Sequence, residues 1–470
     1  MLWDLQKYRD NTAVLDEYGV SLTYGALAGE GQRLADAISR RCLVFILCRN
    51  ETGALVGYTG LINNGCVPLL LNSRMDGEAL AALLAAYQPP YLWVPEDTVP
   101  AFPGMTQVYS TFGYCLLRTG YGTEYPLHPD LALLLTTSGS TGSPKFVRQS
   151  YKNIRANAES IAAYLELDET ERPITTLPMS YTYGLSIINS HLLTGGTVLV
   201  TEKSLTQREF WDFFREAGAT SFGGVPYTYE MLDRMRFHRM DLPSLRTMTQ
   251  AGGKLPPALH QKLAEDARAK GRRFVVMYGQ CEATARMGYL PPERAVEKCG
   301  SMGIAIPGGT FRLIDADGGQ ITVPGVAGEL VYEGPNVTLG YAERGGDLAK
   351  GDERGGVLRT GDMAQFDGDG YYYITGRKKR FLKIYGNRVN LDEVDGLVKE
   401  KFPTLDCASA GTDDHLYVFI TETGREDAVK DFLVRRTKLN PAAFRVTAID
   451  RIPKNDAGKT LYRELEAYYT

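Results

Sequence analysis

The chain of 470 residues is poor in cysteine, in long apolar runs and in net charge. Its seven cysteines are odd in number and none has C-x-x-C spacing, which argues against a disulfide framework or a zinc site and favours reduced thiols. No run approaches the roughly 20 apolar residues of a membrane span. The segment from Met1 to Lys7 lacks the basic and then apolar pattern of a signal peptide. We therefore expect a cytoplasmic protein.

The net charge of −4 and an isoelectric point near 5.9 give no reason to expect a nucleic-acid partner or an anionic membrane partner. A chain of this length exceeds what one hydrophobic core usually organises, so at least two domains are expected. The sequence contains no internal repeat and no low-complexity tract.

Apolar runs alternate with helical patterns along the chain, which is typical of α/β proteins. The patterns predict helices at Leu22 to Ile38, Ala79 to Ala86 and Gly184 to Leu193. They predict buried strands at Cys42 to Cys48, Val67 to Leu71, Tyr91 to Val94, Ile174 to Leu177 and Thr197 to Val200. From Gly328 to Gly356, short alternating stretches such as Glu329 to Tyr332 indicate antiparallel β structure.

The stretch Thr136 to Lys145, TTSGSTGSPK, has the composition of a phosphate-binding loop and directly follows the apolar run Leu131 to Leu135. Glycines let backbone N–H groups turn toward an anion, hydroxyls add neutral donors and lysine adds a charge. The spacing is not G-x-x-x-x-G-K-[ST], which argues against a kinase or GTPase. A Ser/Gly-rich surface linker is the alternative, although the strand-like run and Pro144 favour an ordered loop.

Further motifs follow the loop in a fixed order. They are Tyr278 to Thr284 (YGQCEAT), Arg359 to Asp362 (RTGD), Gly376 to Arg380 (GRKKR) and Pro453 to Lys459 (PKNDAGK). In this order the chain resembles the adenylate-forming superfamily of acyl-CoA synthetases, peptide-synthetase adenylation domains and beetle luciferases, from about Leu22 to Lys459. Ordered motifs spread over most of the chain are far more specific than any one of them.

The resemblance implies an α/β fold with two parts. The large N-terminal domain, residues 1–377, would bind AMP and would contain α/β layers and a β-rich subdomain. The basic cluster Arg377 to Arg380 would mark the boundary to a small, mobile C-terminal α+β lid, residues 378–470.

The resemblance also implies a site for ATP and Mg²⁺. Glu282 matches the magnesium ligand, Asp362 matches the aspartate that binds the ribose hydroxyls, and Arg377 would contact the ribose or a phosphate. Cys281 stands where relatives usually carry threonine, so its thiol replaces a hydroxyl and is not interpreted as a nucleophile. The implied nucleotide-binding residues are Thr137, Ser138, Gly139, Ser140, Thr141, Gly142, Lys145, Gly252, Gly253, Tyr278, Gly279, Gln280, Cys281, Glu282, Asp362, Arg377 and Lys459.

Lys459 matches the mobile lysine that bridges the substrate carboxylate and the α-phosphate, where two developing charges meet. In a second half-reaction, a thiol attacks the acyl adenylate after the lid rotates. Lys379 is the implied hinge, Lys383 and Arg388 match positions that contact phosphate, and Gly386 matches the path of the thiol. The implied catalytic residues are Lys459, Glu282, Lys145, Thr137, Lys383 and Arg388.

The implied acyl pocket consists of Tyr181, Thr182, Gly184, Gly223, Gly224, Tyr227, Ala285 and Met287. Peptide-synthetase domains place an aspartate at the position of Thr182 to hold the substrate ammonium. An α-amino acid would lack this counter-charge here, and an unpaired ammonium in a partly buried pocket is costly. We therefore expect uncharged acyl or aryl acids to be activated in preference to α-amino acids.

These observations predict an ATP-dependent acid–thiol ligase that adenylates a small-molecule carboxylic acid and releases pyrophosphate. The acyl acceptor would be coenzyme A or the phosphopantetheine of an acyl or peptidyl carrier protein. A free-standing amino-acid-activating enzyme that loads a carrier protein is the alternative, and a luciferase-like oxygenase shares the same motifs. A non-catalytic relative is disfavoured because Lys145, Glu282, Asp362 and Lys459 are all present.

Overall fold

A computed structural model describes residues 2–38, 40–136, 145–385, 387–454, 458 and 460–469. The contacts between Cα atoms divide the chain into two compact units. The first comprises residues 1–310 and 332–358, and the second comprises residues 311–331 and 359–470. In this division residues 311–331 and 359–377 group with the C-terminal part, and the domain boundary after residue 377 stays a prediction. Whether that part moves as a lid stays a prediction.

Within the described ranges, the largest sheet of the first unit has eight strands. Its four central strands are parallel, and antiparallel strands flank them on both sides. Apolar runs such as Leu43–Cys48 are buried at every residue, as expected for a sheet covered on both faces. In spatial order the strands are Gly340–Ala342, Phe146–Ser150, Leu131–Thr136, Val67–Asn72, Leu43–Cys48, Tyr91–Pro95, Tyr114–Arg118 and Thr106–Thr111.

Two smaller sheets complete the strands described for the first unit. One contains, in spatial order, Val198–Val200, Thr12–Asp16 and Ser21–Thr23. The other begins with three parallel strands and ends with two short antiparallel ones. Its strands are Ser221–Gly224, Thr247–Gln250, Arg273–Tyr278, Gly288–Tyr289 and Ile304–Ala305.

The helices of the first unit begin and end at recognisable local signals. Ser150 and Asn153 form a reciprocal capping box at the start of one helix. The left-handed Gly195 ends another helix. The described α-helices are Tyr24–Asp36, Thr52–Asn63, Gly77–Tyr87, Tyr151–Leu165, Thr182–Thr194, Arg208–Glu216, Pro226–Arg234 and Pro257–Ala269.

Two of these helices cross at a pair of glycines. A Cβ atom built on Gly60 would lie 2.6 Å from the Cα atom of Gly31, and one built on Gly31 would lie 2.7 Å from the Cα atom of Gly60. Real Cβ atoms do not come this close to backbone, so any side chain would force the helices apart. The missing side chains thus allow Thr52–Asn63 to be buried along almost its whole length.

The second unit contains most of a five-stranded sheet and two smaller ones. The five-stranded sheet contains Gln320–Ile321, Thr310–Ile314, Gly328–Glu333, Val357–Phe366 and Tyr372–Arg377, in spatial order. The smaller sheets are the hairpin Phe381–Ile384 with Asn387–Asn390, and the strands Cys407–Thr412, His415–Ile420 and Phe444–Ala448. Its described α-helices are Leu391–Lys401, Glu426–Thr437 and Tyr462–Leu465.

The predicted alternation of strands and helices is confirmed, with two corrections. Leu22 is part of the strand Ser21–Thr23, because the Thr23 side chain accepts a hydrogen bond from the backbone N–H of Ala26 and starts the helix only at Tyr24. The segment Ile174 to Leu177 is not a strand. Ile174 makes an isolated bridge to Leu199 and Pro173 makes one to Ser221, and neither bridge extends into a strand.

Candidate active site

Two predicted catalytic residues of the first unit, Lys145 and Glu282, both contact Tyr341. The Nζ atom of Lys145 lies 3.9 Å from the centroid of the Tyr341 ring. The hydroxyl of Tyr341 donates a hydrogen bond of 2.7 Å to Oε1 of Glu282. Lys145 follows the predicted phosphate loop, whereas Glu282 follows the strand Arg273–Tyr278, so residues far apart in sequence form one cation–phenol–carboxylate group.

The charges around Tyr341 extend beyond this pair. The guanidinium carbon of Arg354 lies 4.8 Å from the same ring centroid, so two cations contact one aromatic ring. Burial, together with the negative charge of Glu282, raises the pKa of Tyr341 to about 12. The phenol therefore stays protonated at neutral pH and remains a donor to the carboxylate.

Glu282 is positioned by a tight turn at the end of its strand. A Cβ atom on Gly279 would lie 1.7 Å from the carbonyl oxygen of Ala285, so this close approach of backbone to backbone requires glycine. The carbonyl oxygen of Glu282 accepts hydrogen bonds of 3.0 Å from both the backbone N–H and the hydroxyl of Thr338. The motif thus fixes the backbone that carries the carboxylate.

A strained residue lies in the same turn. Thr284 has φ of 67° and ψ of −46°, and the N–H of Ala285 donates to the carbonyl of Ala283 at 2.7 Å, which makes a γ-turn centred on a β-branched residue. Its hydroxyl donates to the carbonyl oxygen of Asn336 at 2.7 Å, and the Asn336 amide donates to the carbonyl of Ala283 at 2.9 Å. These bonds hold a backbone conformation that threonine rarely adopts.

The predicted adenine segment lies beside the predicted acyl pocket. A Cβ atom on Gly252 would lie 2.9 Å from the hydroxyl oxygen of Tyr181. Gln250 donates to the carbonyl of Gly253 at 2.9 Å, and Gln280 donates to the hydroxyl of Tyr278 at 3.4 Å. These contacts order both segments around the tyrosine rings, while their role toward adenine stays a prediction.

Cys281 is buried in the apolar core of the first unit. This agrees with the interpretation of the thiol as a substitute for a threonine side chain rather than as a nucleophile. An accessible thiolate is the reactive form of cysteine, and burial opposes it.

The predicted pocket residues differ in what they contact. The hydroxyl of Thr182, which is buried, donates to the carbonyl of Thr284 and is therefore already satisfied. A Cβ atom on Gly184 would lie 2.5 Å from the carbonyl of Pro178, and one on Gly223 would lie 2.9 Å from the hydroxyl of Tyr183. Gly224 packs on Thr228 and Tyr229, Ala285 and Met287 are buried, and Tyr227 is 55% exposed.

The second unit holds the two residues predicted to bind the ribose. Asp362 and Arg377 are directly opposite each other in neighbouring antiparallel strands. The Nε atom of Arg377 lies 3.3 Å from Oδ1 of Asp362, whose side chain is buried. The register of the two strands therefore brings together residues of two separate motifs, which form an ion pair.

The remaining predicted residues of the second unit are described only in part. Lys378 and Arg359 both contact Glu329. Burial alone would raise the pKa of Glu329, but these two cations lower it below its usual value. The exposed Lys383 pairs with Arg388 across the hairpin. The side chains of Lys379 and Arg388 lie outside the described part of the chain, as do Gly386 and Lys459 entirely.

The phosphate loop itself also lies outside the described residues. This applies to the predicted nucleotide-binding residues Thr137, Ser138, Gly139, Ser140, Thr141 and Gly142. The strand Leu131–Thr136 before the loop and the strand Phe146–Ser150 after it are adjacent and antiparallel. Lys145 directly precedes the second of these strands.

The donor set fits magnesium that arrives with ATP. The described residues contain no group of three His, Cys, Asp or Glu side chains able to hold a metal by themselves. Mg²⁺ is often held by one or two carboxylates together with substrate phosphates. Glu282 would supply one such carboxylate, with Oε1 oriented by Tyr341.

Sequence reasoning did not identify Tyr341, Arg354, Thr284 or Asn336. Thr284 ends the YGQCEAT motif. The glycine in this motif was the sequence signal that could have indicated an unusual backbone conformation there. Tyr341 and Asn336 belong to no motif. Contacts between residues far apart in sequence bring them to this turn, such as the bond from Asn336 to Ala283 and that from Thr338 to Glu282.

Comparisons with known proteins show which enzymes the chain is similar to. The chain is 28% identical to the indoleacetate–CoA ligase of Aromatoleum aromaticum over 473 residues, covering 93% of this chain and 91% of that one. It is 30% identical to the oxalate–CoA ligase of Arabidopsis thaliana over 366 residues, which covers 74% of this chain and 69% of that one. Each described helix falls short of the length and apolarity that a membrane span requires.

Solved structures share the fold over nearly the whole chain. The O-succinylbenzoate coenzyme A synthetase of Bacillus subtilis in complex with AMP matches with a TM-score of 0.80 at 22% identity, covering 98% of this chain and 97% of that one. The anthranilate CoA ligase in complex with anthranoyl-AMP matches with a TM-score of 0.78 at 19% identity, covering 99% and 96%. The predicted α/β fold with a large N-terminal and a smaller C-terminal part is thus confirmed. The family model "AMP-binding enzyme" matches residues 2–342, and the chain belongs to this family.

Proposed function

We propose that the protein is an acid–thiol ligase that uses ATP and Mg²⁺ to form an acyl adenylate and then transfers the acyl group to coenzyme A. The observation that supports this most directly is the group formed by Lys145, Tyr341 and Glu282. It contains a cation at the end of the phosphate loop and a carboxylate of the kind that a nucleotide-bound Mg²⁺ would take as a ligand. The CoA ligases among the relatives support the same reaction class.

In the first step, a carboxylate oxygen of the substrate attacks the α-phosphorus of ATP and the bond to pyrophosphate breaks. Both reactants are anions, so the site must neutralise charge that increases toward the transition state. Lys145 would contribute a positive charge to the phosphates, Glu282 would bind the metal, and Lys459 would bridge the carboxylate and the α-phosphate. Asp362, oriented by Arg377, would accept hydrogen bonds from the ribose hydroxyls.

In the second step, a thiolate attacks the acyl carbon and AMP leaves with the bonding electrons. The names of the relatives favour coenzyme A as the thiol. A carrier-protein phosphopantetheine is the second acceptor to test. The roles of Lys379 as hinge, of Lys383 and Arg388 as phosphate contacts, and of Gly386 on the thiol path are proposals that rest on motif position.

An amino-acid-activating enzyme is the weaker candidate. The Thr182 hydroxyl is bonded to the Thr284 carbonyl and offers no negative charge to an ammonium group. Arg286, which follows the pocket residue Ala285, is a buried cation that would repel one.

The test is to incubate the protein with MgATP and a panel of carboxylic acids, with and without coenzyme A. Pyrophosphate release would be measured, and acyl-AMP and acyl-CoA would be identified by mass spectrometry. We expect acid-dependent pyrophosphate release, and a thioester only when coenzyme A is present. An α-amino acid as the best substrate, or an oxygen-dependent product, would overturn the assignment.

Glu282→Gln separates the proposed chemistry from contaminating activities. Removing the metal-binding carboxylate is expected to lower pyrophosphate release by about two orders of magnitude or more. Glu293→Gln is the matched control, because Glu293 is an exposed glutamate of the same segment. Equal activity of the two variants would show that Glu282 is not the metal ligand.

A further inference from the structure

Arg286 is a buried arginine at the wall of the predicted acyl pocket, directly between Ala285 and Met287, and only 2% of it is exposed. Its Nε atom donates to the hydroxyl of Ser186 at 3.1 Å, and Nη1 donates to the hydroxyl of Tyr164 at 3.0 Å. Its guanidinium carbon lies 5.1 Å from the centroid of the Tyr183 ring. All of these neighbours are uncharged.

No carboxylate of the described residues lies within ion-pair distance of Arg286. Two other described arginines with little exposure, the buried Arg148 and the partly buried Arg380, have such partners. Arg148 lies 2.5 Å from Glu353, and Arg380 contacts Asp392 and lies 2.8 Å from Asp395. Burying a cation without an opposite charge is strongly unfavourable, and hydroxyl partners offset only part of the cost. A buried, permanently charged guanidinium surrounded by neutral groups is the arrangement that an anionic ligand completes.

The surroundings of Arg286 place this charge at the pocket. Tyr183 and Met277, both in contact with the guanidinium, belong to one apolar cluster with Val225 and Ala251. Tyr181, a predicted pocket residue, packs against the same cluster. The hydroxyl of Tyr183 is bonded to Thr249 and adjoins Gly223, another predicted pocket residue. The acid would thus enter an apolar pocket whose wall contains one unneutralised cation.

We propose that the acid activated by this protein carries a second carboxylate, which Arg286 binds, so that the substrate is a dicarboxylic acid. This inference rests on the proposed function and narrows its substrate class. From the sequence alone, we expected acids whose acyl or aryl group carries no charge. The second carboxylate accepts hydrogen bonds from the guanidinium, whose Nε and Nη1 atoms contact the neutral groups of Ser186, Tyr164 and Met277. The first carboxylate remains available to attack the α-phosphate.

The experiment compares matched acids in the pyrophosphate-release assay. Each monocarboxylic acid of two to eight carbons is paired with the α,ω-dicarboxylic acid of equal length, and benzoate is paired with its carboxyl-substituted analogues. We expect kcat/KM to be at least about tenfold higher for the best dicarboxylate than for its partner. Losing one member of a buried charge pair typically costs far more than tenfold in binding.

Arg286→Met then removes the charge while keeping an unbranched apolar side chain. It is expected to lower kcat/KM for the dicarboxylate by about ten- to a hundredfold, mainly through KM, and to leave the monocarboxylate unchanged or improved. Arg286→Lys should restore part of the preference. Arg155→Met removes an exposed arginine, which pairs only with Glu159 in the described structure, and should leave the ratio unchanged.

The alternative is that Arg286 only joins the helices that carry Tyr164 and Ser186. In that case the wild-type protein would prefer monocarboxylates, or Arg286→Met would lower activity toward both acids equally, and either result would overturn the inference while the ligase assignment stands. The wild-type selectivity is informative even if a variant fails to fold. Absence of pyrophosphate release with every acid would instead overturn the proposed function itself.

Discussion

The hydroxyl of Tyr341 donates a hydrogen bond of 2.7 Å to Oε1 of Glu282, and the same ring contacts the ammonium group of Lys145. A single side chain thereby fixes the orientation of the carboxylate proposed to bind Mg²⁺. It also lies against the cation at the end of the phosphate loop. We therefore expect Tyr341 to act as a positioning residue for the Glu282 carboxylate.

Tyr341→Phe should raise the Mg²⁺ concentration needed for pyrophosphate release. The ring that contacts Lys145 is kept, whereas the hydrogen bond to the carboxylate is lost. Hydrogen bonds to charged groups contribute about 1.5–3 kcal/mol, so we expect a rate loss of about tenfold or more at limiting Mg²⁺. Magnesium titrations of both proteins check this. Tyr18→Phe, at a residue that is 77% exposed, should behave like the wild type, and an unchanged titration for Tyr341→Phe would refute the role.

Gly279→Ala should destabilise the protein and abolish adenylation. The new methyl group would lie 1.7 Å from the Ala285 carbonyl oxygen, so the turn that carries Glu282 must move. Overpacking of this kind costs about 1–3 kcal/mol. Thermal unfolding and pyrophosphate release would be measured beside Gly77→Ala, where no atom lies within 4 Å of the added Cβ. A fully active Gly279→Ala would mean that the turn adapts without displacing Glu282.

Lys459→Ala should slow acyl-adenylate formation by about two to three orders of magnitude while sparing thioester formation from a supplied acyl adenylate. The lysine charge is needed where carboxylate meets phosphate and not where a neutral thioester is formed. Single-turnover assays of each half-reaction separate the two effects. Lys454→Ala is a control in the same segment, because Lys454 pairs with Asp406. A loss of less than about tenfold in the first step would exclude the bridging role.

The buried His191 should make stability depend on pH between about 4 and 6.5. Burial lowers the pKa of His191 to about 4. The charge of Arg286 acts in the same direction, whereas the hydrogen bond to Ile187 opposes the shift. The unfolded chain, with a histidine pKa near 6.5, binds the proton at higher pH, so stability falls as pH decreases through this window.

His191→Gln should reduce this slope, because glutamine does not titrate. The difference in free energy of unfolding between the wild type and the variant is expected to shift against the wild type by up to about 3 kcal/mol between pH 7 and pH 4. Urea unfolding of both proteins at several pH values measures the difference directly. Parallel pH profiles would show that His191 takes up a proton in the folded state as readily as in the unfolded state.

Much of the fold could be predicted from sequence because its central strands are continuous apolar runs bounded by turn residues, as at Leu43–Cys48 and Leu131–Thr136. Ile174 to Leu177 was mistaken for a strand because an apolar pattern does not reveal whether a neighbour can continue the ladder. The predicted division at residue 377 rests on the position of a motif and stays a prediction.

The candidate site could be predicted only where residues belong to contiguous motifs, as Lys145, Glu282, Asp362 and Arg377 do. Tyr341 and Arg286 escaped prediction for a physical reason. The role of Tyr341 depends on the pairing of its strand with Phe146–Ser150. The role proposed for Arg286 depends on the lack of a carboxylate within ion-pair distance among the described residues. Neither property can be read from the local sequence.

The contact between Gly31 and Gly60 restricts how this protein can vary. A substitution at either glycine meets backbone on the other helix, so no compensating change of side chain on that helix can make room for it. Acceptable variants would require both helices to shift, together with the buried Tyr58 that stacks edge-on against Trp3. In a library with every residue randomised, selection for activity should therefore leave these two positions nearly invariant, although neither lies in a catalytic motif.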